Sequence, residues 1–265
     1  MLRRGPPPLR TLRFLQAARQ GLRRSRPRRS RPEMKTAAAP VHEIFCSRQG
    51  EGLYCGRRQV FLRFAGCNLN CSYCDEPAAR SLPSFMMTTA EAAAEVVKQA
   101  RRGRARIVSL TGGEPLLHWR FIKELAPLLK KAGLALHLET NGTLYRELGE
   151  VAGLMTAVAM DIKVPSSGGH RPFWSAHRRF LAVAPRKTFI KAVLTSSFAM
   201  REFRLAVGLA AAACPGIPFF IQPATRKKNS RPPAARPLRE AEAIARARLS
   251  RVKVLPQQHP LWGIK

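Results

Sequence analysis

With 265 residues and 45% hydrophobic content the chain can build one large globular core, and no run of about 18 apolar residues interrupts it, so a membrane-spanning helix is excluded. Lys and Arg number 47 against 16 Asp and Glu, a net charge of +31 that by itself suits a polyanion such as nucleic acid. Its distribution argues otherwise: residues 1–33 hold eleven Arg against Glu33 alone, and residues 225–239 hold six basic residues and no acid, so over half of the excess sits in two stretches without catalytic motifs. Nucleic acid is therefore not the expected partner.

Residues 1–40 read as a basic N-terminal extension, with no apolar h-region of a secretory signal. An organelle transit peptide, a nucleic-acid-binding arm or a start assigned too far upstream would all look this way, and Met34 favours the last. Residues 41–265 read as the catalytic domain. From Val41 an extended piece enters a Gly-rich loop, Arg48-Gln49-Gly50-Glu51-Gly52, whose glycines let the backbone approach a ligand. Gln59 to Ala65 alternates as a strand, Gly66 breaks it, and Cys67 opens the next loop. Thr88 and Glu91 form a capping box for a helix to about Arg102. Strands over 105–110, 134–139, 156–161, 187–194 and 217–222 then alternate with helices over 119–131, 145–151, 173–182, 199–213 and 238–249, and a last short strand is expected over 251–255.

Repeated βα units imply parallel strands with right-handed crossovers, in a barrel or an open doubly wound sheet. Cys67, Thr111 to Pro115, Glu139 to Asn141, Asp161 to Lys163 and Gln222 all fall where successive strands end, which favours a barrel. The expected fold is an α/β partial (βα)6 barrel. The loop over 225–233 is expected to be a solvated connection.

Six cysteines are present, and three of them, Cys67, Cys71 and Cys74, are spaced CxxxCxxC. Such crowding suits metal ligation in a reducing cytoplasm better than disulfides. Three thiolates on a four-iron cluster leave one iron open for chemistry, whereas a zinc loop would need a fourth donor.

The cysteine spacing, with Tyr73 before the last thiol and Gly112-Gly113-Glu114-Pro115 after the next strand, resembles the radical S-adenosylmethionine enzymes. That resemblance implies a 4Fe-4S cluster on Cys67, Cys71 and Cys74, whose open iron binds S-adenosylmethionine and whose electron cleaves it to a 5′-deoxyadenosyl radical. Glu43-Ile44-Phe45, the Gly-rich loop, Arg63 to Cys67, Glu139 to Thr143 and Asp161-Ile162-Lys163 resemble, more narrowly, the 7-carboxy-7-deazaguanine synthase family. Members contract the ring of 6-carboxy-5,6,7,8-tetrahydropterin with loss of ammonia, beside a magnesium ion, toward queuosine and other deazapurines.

By that resemblance Tyr73, Cys74, Asp75, Gly113, Glu114, Glu139, Asn141, Asp161, Ile162, Lys163 and Gln222 bind S-adenosylmethionine, while Arg48, Gln49, Gly50, Glu51, Arg63, Thr111 and His259 bind substrate. The residues suit the task. Gln49 and Glu51 offer donors and acceptors to a flat pterin edge, and the Arg63 guanidinium can bind a carboxylate bidentately. A flavodoxin or ferredoxin would supply electrons, and a homodimer is expected. Two departures stand out: the family reads Cys-Asp-Thr or Cys-Asp-Ser where this chain has Cys74-Asp75-Glu76, and it ends in proline where this chain ends Gly263-Ile264-Lys265. Glu76 is the expected magnesium ligand, being a hard oxygen donor. A glycyl-radical activase and a basic RNA-binding iron-sulfur or zinc protein are the alternatives.

Overall fold

The computed structural model describes residues 37–80, 85–227 and 230–264. Most of the expected basic extension, and two residues of the loop over 225–233, lie outside these. The chain forms one nine-stranded sheet in the order β3-β1-β2-β4-β5-β6-β7-β8-β9. Strand β1 (Ala38–Arg48) lies antiparallel between β2 (Arg58–Phe64) and β3 (Phe85–Thr88). Strands β4 (Ile107–Gly112), β5 (Ala135–Thr140), β6 (Ala157–Asp161), β7 (Thr188–Leu194), β8 (Phe219–Pro223) and β9 (Val252–Val254) continue from β2, all parallel.

Helices α1 (Thr89–Gly103), α2 (Trp119–Lys131), α3 (Tyr145–Val151), α4 (Trp174–Val183), α5 (Met200–Ala213) and α6 (Ala235–Arg246) fill the crossovers. The first starts where the capping box places it. The Glu91 N–H donates to the Thr88 hydroxyl at 3.3 Å, and the Thr88 N–H donates back to the Glu91 carboxylate at 2.8 Å. Edge strands β3 and β9 do not pair, so the barrel is partial.

The expectation differs from the structure mainly at the amino-terminal side. The piece entering the Gly-rich loop is an eleven-residue strand starting at Ala38, ahead of Val41, with Ala39 fully buried. Six parallel strands carry the expected units, and β9 adds the short seventh.

Strand parity sorts core from site. Leu62, Leu110, Leu138, Met160, Ile190 and Ile221 point outward into the main core beneath the helices, all essentially inaccessible to water. Their neighbours one residue away, including Arg63, Thr111, Glu139, Asp161, Lys191 and Gln222, point into the barrel. Burying each outward side chain contributes about 1.5–3 kcal/mol, which fixes the register and hence the inward set.

Candidate active site

Strand β2 ends at Phe64, and Gly66, whose φ of 92° suits glycine, turns the chain into the cysteine loop. Main-chain and side-chain bonds pin this loop to its neighbours. Ser72 N donates to the Gly168 carbonyl at 3.0 Å, Asn141 donates to Asn68 Oδ1 at 2.8 Å, and Glu114 N donates to the Gly66 carbonyl at 2.9 Å. Gly113 packs so tightly here that a Cβ would overlap the Gly66 carbonyl. Cys67, Cys71 and Cys74 line one cavity of about 240 Å³, and burial pushes the Cys67 and Cys74 thiols up, so a cation must draw out their thiolates.

Among the described residues, no three His, Cys, Asp or Glu side chains close tightly enough to hold a single metal ion. The three thiols instead share a wall with the glycine cradle of Gly112 and Gly113. This all-sulfur donor set, opening onto a cavity, fits the three-thiolate ligation of an iron-sulfur cluster.

Opposite the cysteine loop lies a polar floor. Gln49 is buried, donates to Glu139 Oε1 at 2.8 Å and accepts from Glu51 N at 3.1 Å, which fixes the Gly-rich loop over the barrel. Lys191 is ion-paired with Glu51 and stands 3.7 Å from Asp161, which Lys163 also holds at 2.9 Å. Burial opposes the charge on both lysines. Carboxylates outweigh it, Glu51, Asp161 and Glu139 for Lys191 and Asp161 for Lys163, so both ammonium groups titrate above the ordinary lysine range. Asp161 Oδ1 is buried with no hydrogen-bond partner among the described residues, as a polar atom awaiting a ligand would be.

At the rim, Arg63 Nε donates to Glu43 at 2.8 Å and its fork stands 3.6 Å from Glu76, with the guanidinium over the Phe45 ring. Phe45 and Phe61 stack at 5.1 Å, a flat apolar face beside that charge. The C-terminal tail closes the other side. Gln258 N bonds the Gly50 carbonyl at 3.0 Å, and His259 covers Gly50 so closely that a Cβ there would meet its ring.

All the expected site residues but two open onto this cavity. Ile162 does not, because it lies between inward Asp161 and Lys163 and so points outward, fully buried in the core. Glu114 does not either: its carboxylate turns into the core and accepts from Leu116 N, Thr140 Oγ1 and Asn141 N at 3.0, 2.8 and 2.8 Å. It straps the end of β5 to the glycine turn, while burial pushes its carboxyl up to about 7 against those three donors. Glu114→Gln would aim an amide N–H₂ at a main-chain N–H whichever way it turned. The variant should lose about 1–3 kcal/mol of stability, read as a lower urea midpoint.

Sequence motifs missed Lys191 and Gln257. Gln257 donates to Glu51 at 2.6 Å and to Asp75 at 2.9 Å, and accepts from Thr225, tying the tail to two site loops. Lys191 had a signal: a lone lysine within Thr188–Leu194, an otherwise apolar buried strand, at the parity of the site.

A family model described as the Radical SAM superfamily matches residues 62–192. The chain is 35% identical over 251 residues to a 7-carboxy-7-deazaguanine synthase of Geobacter sulfurreducens, covering 87% of this chain and 99% of that one. It is 34% identical over 253 residues to one of Methanopyrus kandleri, covering 88% and 96%. A crystal structure of QueE from Escherichia coli shares the fold, with a TM-score of 0.54 and 23% identity over 81% of this chain and 92% of that one. A thiol-lined wall facing a polar floor across a partial βα barrel, together with relatives matched over almost their whole length, leads to one conclusion: the chain belongs to the 7-carboxy-7-deazaguanine synthase family of lyases, within the radical SAM superfamily.

Proposed function

We propose that the protein converts 6-carboxy-5,6,7,8-tetrahydropterin to 7-carboxy-7-deazaguanine with loss of ammonia, toward queuosine or other deazapurines. The observation that carries this reading is the single cavity that sets three thiols against a floor of Gln49, Glu51 and Glu139. Cys67, Cys71 and Cys74 would hold a 4Fe-4S cluster, and the glycine turn with Asn141, Asp161 and Lys163 would hold S-adenosylmethionine. Bound there, the two supply one-electron cleavage chemistry that no side chain of this chain has.

The chain's own residues bind and orient. Glu51 presents a carboxylate acceptor and Gln49 an amide to the amino-pyrimidine edge, Phe45 and Phe61 offer a face to the rings, and Arg63 takes the carboxylate. His259 and the tail over Gly50 exclude water from the reacting centre. The His137 Nδ1 stands 3.8 Å from the Glu139 carboxylate, and burial lowers the imidazole pKa against the opposing pull of that carboxylate.

Glu76 would hold magnesium. Its side chain is about a third exposed at the rim, with the water access that ion requires. Glu76→Gln keeps the size and removes the charge, so its turnover should fall about tenfold to a hundredfold and recover in part with excess magnesium. Turnover of the parent protein that ignores chelator would contradict the assignment. An acidic electron donor such as flavodoxin or ferredoxin, a homodimeric state and a cytoplasmic setting complete the proposal.

The function is tested in cells that lack their own 7-carboxy-7-deazaguanine synthase. Expression of this chain should restore queuosine in tRNA, and Cys71→Ala should not. Restoration by neither form would contradict the reading.

A further inference from the structure

Lys191 sits where no site motif reaches, on the inward face of β7 among three carboxylates drawn from three different elements. Its ammonium pairs with Glu51 of the Gly-rich loop, stands 3.7 Å from Asp161 at the end of β6, and feels the charge of Glu139 on β5. A buried ammonium must stay paired, because leaving it unpaired in a low-dielectric site is strongly unfavourable. Its two direct partners serve different ligands in the function proposed above: Glu51 faces the pterin, and Asp161 faces S-adenosylmethionine. Lys163 pairs with Asp161, and Gln257 links Glu51 to Asp75 without a charge.

We propose that Lys191 is a positioning residue that couples pterin binding to S-adenosylmethionine binding by shifting its ion pair between Glu51 and Asp161. Both Glu51 oxygens are engaged before substrate arrives, one by Gln257 and one by Lys191. A pterin N–H that takes the second oxygen competes with the ammonium, which then closes the 3.7 Å gap to Asp161 Oδ2. That closure fixes the Asp161 carboxylate, whose buried Oδ1 has no partner among the described residues and is free to take a hydroxyl donor. Each ligand thus prepares the site of the other. By thermodynamic reciprocity the two enhancements are equal, and about tenfold is expected for one shared charged contact.

The test rests on the functional reading above and is built to fail separately from it. S-adenosylhomocysteine, unreactive but of the cofactor's chemical class, is titrated calorimetrically into the anaerobic, cluster-reconstituted full chain with and without carboxytetrahydropterin. In the parent protein its Kd should tighten about tenfold with the pterin, and the pterin's Kd should tighten by the same factor in the converse titration. In Lys191→Met each ligand should still bind alone, more weakly, while the enhancement collapses toward one. Lys191→Arg, which keeps the charge, should retain most of it. As a second readout, Lys191→Met should release more 5′-deoxyadenosine per carboxydeazaguanine formed, since cofactor occupancy no longer rises with pterin occupancy. An enhancement unchanged in Lys191→Met, or absent in the parent protein, overturns the coupling while the function stands. A parent protein that binds no carboxytetrahydropterin overturns both. Should Lys191→Met not fold, the parent and Lys191→Arg titrations still decide: an enhancement lost in Lys191→Arg counts against a charge-based relay.

Discussion

Cys71→Ala is expected to leave a folded protein with no four-iron cluster and no measurable turnover. The loop that carries Cys71 is held by Ser72, Asn68 and the glycine turn, none of which depends on the thiol, so the fold should survive. The cluster should not, because only Cys67, Cys71 and Cys74 among the six cysteines open onto the cavity. Two remaining thiolates cannot replace the third, since iron-sulfur assembly depends on each cysteine ligand. Cys46, Cys55 and Cys214 should each be replaceable by serine with the cluster's visible absorbance intact. Loss of that absorbance in Cys214→Ser together with its retention in Cys71→Ala would contradict the assignment.

Arg63→Gln is the second large effect, a fall in kcat/KM of roughly 30-fold to 4000-fold, because removing one member of a buried charge pair costs about 2–5 kcal/mol. In the free protein Arg63 lies between Glu43 and Glu76. Without the guanidinium the Glu43 carboxylate would face the substrate carboxylate uncompensated, so like charge adds to the lost bond. Lysine should not restore the rate, since an ammonium cannot reproduce both the Nε bond to Glu43 and a fork toward the substrate. The specific sign is in competition binding: a pterin without the carboxylate should lose almost nothing on Arg63→Gln. An equal loss for both pterins would show that Arg63 serves the fold instead.

Much of this site was legible because strand parity and loop position are local properties. Arg63, Thr111, Glu139, Asp161 and Gln222 sit at strand ends on one parity, and the helices from Trp119 and Tyr145 begin where the apolar period resumes. What escaped was set by distant pairing. Strand β1 lies half-buried along most of its length, so it lacks clean alternation, and its full extent from Ala38 to Arg48 is set by pairing with Arg58 to Phe64 and with Phe85 to Thr88. Strand β3 is four residues long, with Phe85 and Met86 exposed, and exists by pairing with Ala38 to Val41.

Side-chain direction was the other gap. The Gly-Gly-Glu-Pro motif located the turn, yet it could not say that Glu114 points into the core, because that follows from donors on Leu116, Thr140 and Asn141. Gln257 lies 206 residues from Glu51 and carries no motif, so only the folded tail brings the two together.

The measurement that bears most directly on the central claim is anaerobic turnover. The iron-reconstituted protein is incubated with S-adenosylmethionine, a strong one-electron reductant and 6-carboxy-5,6,7,8-tetrahydropterin, and products are followed by mass spectrometry. The structure and its relatives predict 7-carboxy-7-deazaguanine and ammonia in equal amounts, both absent without reductant and both absent in Cys71→Ala. A parent protein that carries the intact cluster and cleaves S-adenosylmethionine, yet returns the pterin unchanged, would contradict it.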